Sequence, residues 1–210
     1  MALILPALVL LDSSKESSRS REASGMDGRV SINYQVKQLD TGELDLTYEV
    51  QNRGDSDIYI FSPLTDYRGR DWVPVPNRVY VFWDGDGVVH LTKRLWTVPD
   101  DVEIYMPEVP LLSRVLAGEK FEEHVRAPLP LLVNFPYRSE PANAPLADRA
   151  VKDSSGLVFS VGYLDSKNGD IKVQPFSARP GNFTISYGDG IQRQRILTGK
   201  PTALKVKVRG

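Results

Sequence analysis

Two runs of strict alternation sit either side of one short turn, and they constrain this chain more than any other feature. "VSINYQV" places Val30, Ile32, Tyr34 and Val36 on one face, with polar residues between. "DTGE" (Asp40–Glu43) follows, and "LDLTYEV" then places Leu44, Leu46, Tyr48 and Val50 on one face. A period of two is the signature of a half-buried strand, and a Gly-containing turn between two such runs predicts an antiparallel hairpin. The pattern recurs. "IYIF", "RVYVFW", "VVHLTKRL", "LSRVL", "KFEEHVRA", "LVFSVGYL", "DIKVQPF", "NFTISY", "IQRQRIL" and "ALKVKV" all read as short strands, separated by Gly, Asp, Asn and Pro. No amphipathic helix of ten residues is expected. The predicted fold is all-β, an antiparallel β-sandwich of about 9–11 strands.

Two connections are long, Ser62–Asn77 and the proline-rich Pro128–Gly156. Both are expected as irregular loops of the kind that carry function. The N-terminus differs in composition from the rest. Met1–Leu11 is apolar and uncharged, and Asp12–Gly25 is rich in Ser and charge. The apolar run is shorter than the roughly 20 residues that span a bilayer. It suits the apolar core of a secretory signal, although no Lys or Arg precedes it. Residues 1–28 are therefore expected outside the fold, as a signal-like or disordered segment, with one domain over residues 29–210. A secreted or periplasmic protein is expected, with a cytoplasmic one as the alternative.

"ELDLTYEVQNRGDSDIYIF" has a strand ending in Val-x-Asn, a Gly-Asp turn and then an apolar strand. "LSRVLAGEKFEEHV" has a Leu-x-x-Gly-Glu turn before the next strand. Both stretches resemble bacterial immunoglobulin-like sandwich domains, among them those related to an intracellular proteinase inhibitor of Gram-positive bacteria and cell-adhesion-related envelope modules. The resemblance implies an immunoglobulin-like sandwich and carries no catalytic residues. The first stretch also contains Arg53-Gly54-Asp55-Ser56, the tetrapeptide that adhesive animal proteins show to integrins. Asn, Gly, Asp and Ser are the residues that a turn between strands selects, so a turn is the expected role.

Composition narrows the function. The net charge is -1, so the chain has no global basic field for nucleic acid. The lysines of "LKVKV" line one strand face, as on protected edge strands. Zero Cys removes disulfides, thiolate metal sites and thiol nucleophiles. His90 and His124 are the two histidines, each in a strand pattern and each expected to face solvent. No nucleophile elbow or phosphate-binding glycine loop is present. Asp84 and Asp86 in "DGDG", joined by Asp100 and Asp101, are the nearest approach to a calcium set. They lack the third acidic position and the closing Glu of a calcium loop, and Asp-Gly is what a hairpin turn requires. No cofactor is expected.

The aromatic residues point further. All 3 Trp fall between Tyr59 and Tyr105. In "RVYVFW", Tyr80 and Phe82 face away from Val79, Val81 and Trp83, so this strand is apolar on both sides. Such a strand is either covered by a loop or presents aromatic rings to a partner. Tyr67, Trp72, Tyr80, Phe82 and Trp96 are the candidate binding residues, for a protein or glycan partner. The expected role is a non-catalytic binding module of the bacterial envelope or secreted fraction. The alternatives are a proteinase inhibitor presenting Ser62–Asn77, a structural assembly subunit, and a hydrolase. The last would need a clustered acid–base group.

Overall fold

The computed structural model describes residues 21–69, 71–83, 87–137, 150–167 and 171–210. It is mostly β, with one short helix. In chain order the first strands are β1 (Arg21–Asp27), β2 (Val30–Gln38), β3 (Glu43–Asn52), β4 (Ile58–Phe61), β5 (Leu64–Arg68), β6 (Asp71–Val75), β7 (Tyr80–Trp83) and β8 (Val88–Lys93). There follow β9 (Leu112–Val115), β10 (Lys120–Pro128), β11 (Leu131–Leu132), β12 (Val151–Asp153) and β13 (Gly156–Asp165). The chain ends with β14 (Gln174–Pro175), β15 (Asn182–Thr184), α1 (Tyr187–Arg193), β16 (Arg195–Thr198) and β17 (Lys207–Arg209).

Four strands form one sheet in the order β1-β2-β3-β10. A larger sheet runs β14-β15-β9-β4-β13-β8-β7, with β16 on β13. The expected hairpin is present as β2 and β3, in register from Val30↔Asn52 to Gln38↔Leu44. Its alternating residues Val30, Ile32, Tyr34, Val36, Leu44, Leu46, Tyr48 and Val50 are all buried. They share one core with Ile58, Ile60, Val89, Leu91, Leu157 and Phe159 of the larger sheet. The rings of Tyr48 and Phe159 lie 4.6 Å apart across this core. The outer face of the larger sheet is covered too. Phe61, Leu112 and Leu164 pack there with Ile185 and, from α1, Tyr187 and Ile191.

Several expectations change. The sheet begins at Arg21, inside the segment expected to lie outside the fold. "REASGMD" shows no alternation, but an edge strand needs only backbone pairing, and β1 pairs with β2 from Arg21↔Val36 to Asp27↔Val30. The sheets are not uniformly antiparallel, since β8 runs parallel to β13. The described residues hold seventeen strands, more than expected, because the long connections are themselves folded. Ser62–Asn77 contains the β5–β6 hairpin, paired from Leu64↔Val75 to Arg68↔Asp71. Pro128–Gly156 contributes β11 and β12, which flank β17. The strands of "LSRVL" and "KFEEHVRA" do not form a hairpin. β9 joins the larger sheet and β10 the smaller, so the turn between them crosses from one layer to the other. In "DIKVQPF" only Gln174–Pro175 is strand.

"IQRQRIL" is split between the end of α1 and β16. The cause is a cap. The Ser186 hydroxyl accepts from the Asp189 backbone N–H at 3.2 Å, and Asp189 lies in the first turn. This arrangement satisfies a free amide and sets acidic charge at the positive helix end.

Candidate binding surface

The site is built where β7, β8 and the segment after β8 meet. Alternation on β8 sends Val89, Leu91 and Lys93 into the core between the sheets and His90 to the opposite face. Across the β7–β8 ladder Phe82 is the partner of His90, and their rings meet edge to face at 5.7 Å. Trp96 comes next. Its ring stacks on Phe135 at 5.2 Å and meets Phe82 at 6.1 Å and Tyr80 at 6.2 Å. The guanidinium of Arg94 lies over the Trp96 ring, 3.8 Å from its centre. Trp96, Phe82, Phe135 and Arg94 are half-buried.

Helix α1 fixes this platform from behind. Gln194, its C-terminal cap, accepts from Leu95 N at 2.8 Å and donates to Leu95 O at 3.0 Å, a strand-like clamp made by one side chain. The Tyr187 hydroxyl accepts from Val98 N at 2.7 Å and donates to Trp96 O at 3.3 Å. Backbone on both sides of Trp96 is thereby held, which preorganises the ring.

The structure thus brings Tyr80, Phe82 and Trp96 together and sets Tyr67 and Trp72 apart. Tyr80 is 0% exposed, so it supports the platform and offers no surface to a partner. Its hydroxyl donates to Glu108 at 2.6 Å. Burial, then the Glu108 charge, pushes the Tyr80 phenol up. Burial also raises the Glu108 carboxyl, while the Tyr80 hydrogen bond and Arg78 pull it down. Tyr67 and Trp72 face each other across the β5–β6 hairpin with ring centres 5.2 Å apart. Tyr67 is 51% exposed. His90 is half-buried against Phe82 where solvent exposure was expected. His124 is exposed and meets Asp45.

A second constellation lies inside the core. Lys93 is 0% exposed. Its ammonium donates to Glu123 at 2.7 Å, to Pro76 O at 3.0 Å and to the Ser62 hydroxyl at 3.2 Å. The hydroxyls of Ser62, at 2.7 Å, and Tyr48 donate to the same Glu123 oxygen. Burial pulls the Lys93 ammonium down, and Glu123 opposes that. Burial and the Glu123 charge raise the Tyr48 phenol. A buried charge is tolerated when it is paired and hydrogen-bonded, and this one is. Lys93 comes from the larger sheet and Glu123 from the smaller, so the pair crosslinks the layers.

The "NRGDSD" turn is organised by Asn52, which is buried. Its side-chain amide donates to the carbonyls of Ser56, Val115 and Leu116 at 2.8, 3.2 and 3.1 Å, and its oxygen accepts from Gly54 N at 3.0 Å. Asp55 faces Arg29 at 3.5 Å and Lys167 at 3.6 Å. Beside it opens a pocket of about 270 Å³, lined in part by Asp27, Arg29, Tyr163 and Arg195. Its carboxylates are engaged: Asp27 accepts from Tyr163 at 2.7 Å and faces Arg195 at 3.4 Å, and Asp165 accepts from Ser56 at 3.0 Å.

No group of three His, Asp or Glu side chains suited to a metal ion occurs among the described residues. Asp100 and Asp101 are exposed, and Asp84 and Asp86 lie outside the described residues. No helix among the described residues is long and apolar enough to cross a membrane.

Arg94, Phe135, Lys93 and Glu123 were not picked out from the sequence. A signal existed for three of them. Arg94 and Trp96 are two apart, hence on one face of an extended chain. Lys93 and Glu123 occupy inward positions of alternating strands, after Leu91 and between Phe121 and Val125. No protein-family model, curated protein or solved structure matches this chain.

Proposed function

We propose that this chain is a non-catalytic binding module built on an immunoglobulin-like β-sandwich, working in the cell envelope or outside the cell. It contacts a protein or glycan through the Trp96 platform, with the Tyr67–Trp72 hairpin as a second aromatic contact. The observation that carries the reading is the contrast between the two constellations. The Lys93–Glu123–Tyr48–Ser62 group has the residue types of acid–base chemistry, but Lys93, Tyr48 and Ser62 are buried and the Glu123 side chain is only 14% exposed. The Arg94–Trp96–Phe82–Phe135 group is half-open and is held rigid by α1. Rigid aromatic anchors with a polar handle are what recognition surfaces use. Two sheets sharing one core support the sandwich, and the apolar Met1–Leu11 supports export.

The test is a panel of oligosaccharides and peptides titrated against the whole chain with tryptophan fluorescence as the readout. Binding by a panel member is expected, and Trp96→Ala should weaken it at least about tenfold while leaving the fold intact. A binder that Trp96→Ala and a Tyr67→Ala/Trp72→Ala double variant both leave unaffected would refute the surface. Turnover of any panel member, abolished by Glu123→Gln, would refute the non-catalytic reading.

A further inference from the structure

Strand β10 has one edge that pairs with no strand among the described residues. Its other edge lies on β3, in unbroken register over all nine residues from Lys120↔Gln51 to Pro128↔Glu43. The ladder continues past both ends, where Asn52 N donates to Glu119 O at 3.0 Å and Leu129 N to Gly42 O at 2.9 Å. Hydrogen-bonded residues of an antiparallel pair recur at every second position. The odd-numbered residues of β10 therefore bond to β3, and the amides and carbonyls of Lys120, Glu122, His124 and Arg126 turn outward. Natural sheets blunt such an edge by shortening, bulging, covering or charging it. Strand β7 is bridged to Asn134, Gly25 of β1 abuts Thr198 of β16, and β12 and β14 have three and two residues. Strand β10 is long and unbulged, and its defence is charge.

That charge is self-complementary. Glu122 is exposed and makes no ion pair or hydrogen bond among the described residues, and it lies directly opposite Glu49 of β3. Like charges so placed are unfavourable. Arg126 is 55% exposed and holds Asp45 loosely, at 3.7 Å. A second copy pairing antiparallel about a two-fold axis must set outward residue against outward residue, so few registers exist. A register centred on His124 sets Glu122 opposite Arg126 of the second copy, twice by symmetry. It ends with Lys120 opposite Pro128, which has no amide to offer. Centring on Glu123 would oppose Lys120 and Arg126, centring on Glu122 would oppose that residue to itself, and centring on Val125 would oppose His124 and Arg126. On the inward side the His124 register brings Ala127 and Val125 of the second copy opposite Phe121 and Glu123, which are half-buried in one chain. We infer that the chain forms a two-fold dimer in which β10 pairs with β10 of a second copy about His124, joining the two four-stranded sheets into one.

This interface belongs to the smaller sheet and the Trp96 platform to the larger, so either can fail without the other. The test is sedimentation equilibrium on the whole chain. The parent should dimerise at concentrations on the order of 10–100 μM, as suits an interface at the small end of the size range. Glu122→Arg sets Arg against Arg, and Arg126→Glu sets Glu against Glu, so each variant alone should dimerise at least about tenfold more weakly. An equal mixture of the two restores both opposite-charge pairs and should recover dimers, as should the double variant Glu122→Arg/Arg126→Glu. The chain has 0 Cys, so His124→Cys supplies a single thiol. Cα atoms opposed in a hydrogen-bonded pair lie about 5.5 Å apart, within disulfide reach, and this variant should crosslink to its own copy under mild oxidation. A parent that stays monomeric overturns the dimer, whether or not an extended peptide occupies the edge. A dimer that Glu122→Arg leaves intact belongs to another face and overturns the β10 interface. So does a mixture that stays monomeric. If Arg126→Glu does not fold, Glu122→Arg and the His124→Cys crosslink still decide.

Discussion

At Lys93 the chain carries an ammonium into a core of Val, Leu, Tyr and Phe side chains. The position is sustained by three acceptors, one of them Glu123 from the opposite layer. Pairs of this kind are asymmetric in their energetics. Removing one partner leaves the other buried and unpaired, at a cost of about 3–5 kcal/mol, whereas replacing both by apolar groups is often close to neutral. Lys93→Met and Glu123→Leu are therefore each expected to lower stability by about that amount, and the double variant to recover most of it. Urea unfolding of the four proteins, treated as a double-mutant cycle, measures this directly. Independent, additive losses would mean that the two charges are not coupled. Tyr48→Phe should cost less, about 1 kcal/mol, since it deletes one donor and leaves the ion pair.

Asp45 links three strands of the smaller sheet. It lies on β3, faces Lys37 of β2 at 3.1 Å, and meets His124 and, at 3.7 Å, Arg126 of β10. Burial raises its carboxyl, but the bonds from Lys37 and His124 outweigh burial and the net shift is below the ordinary 3.8. A carboxyl depressed on folding stabilises the fold above its unfolded pKa. That contribution is lost as pH falls through the lower, folded value. The parent should hold its Asp45-linked stability down to about pH 4 and lose it below. Asp45→Asn should be less stable than the parent at neutral pH and show a shallower acid decline. Urea midpoints from acidic to neutral pH give the comparison, and parallel curves would refute it. Helix α1 depends on a different local device. It has seven residues, too few to persist without help, and Ser186 supplies the cap. Ser186→Ala should cost about 1 kcal/mol and loosen the Gln194 clamp on Leu95, read as faster amide exchange at Leu95.

The two layers are also joined at their ends by tyrosines. Tyr34 of the smaller sheet donates to Lys200 O at 2.6 Å, and Tyr163 of the larger donates to Asp27 at 2.7 Å. Gly25 and Gly199 permit this closeness: a Cβ on Gly25 would sit 1.9 Å from Thr198 O, and one on Gly199 would sit 2.4 Å from the Tyr34 ring. Strand β1 is thus wedged against β16 while it covers the edge of β2. A chain beginning at Gly28 loses the Tyr163 acceptor, worth about 1–3 kcal/mol. That is on the order of 2–10 °C in Tm for a chain this long. It also exposes the long edge of β2, and exposed edges pair with other chains. Lower Tm together with self-association in sedimentation beyond the parent's is the expected result. An unchanged Tm and an unchanged assembly state would show that β1 contributes little.

Period-two alternation is written into neighbouring residues, so the sequence alone determined the β2–β3 hairpin, the core faces of Val30–Val36 and Leu44–Val50, and the "NRGDSD" turn. It also marked Tyr80 and Phe82, because a strand apolar on both sides must be covered or bound. The Ser186–Asp189 cap was equally local, and the apparent alternation of Ile191–Leu197 hid it. Strand β1 carried no pattern at all, since an edge strand is specified by its partner's free backbone. The tertiary structure alone decided that β8 lies parallel to β13, that Lys93 meets Glu123, and that Gln194 and Tyr187 brace Trp96. Each of these depends on groups far apart in the chain, brought together by packing, and no local spacing encodes such a meeting.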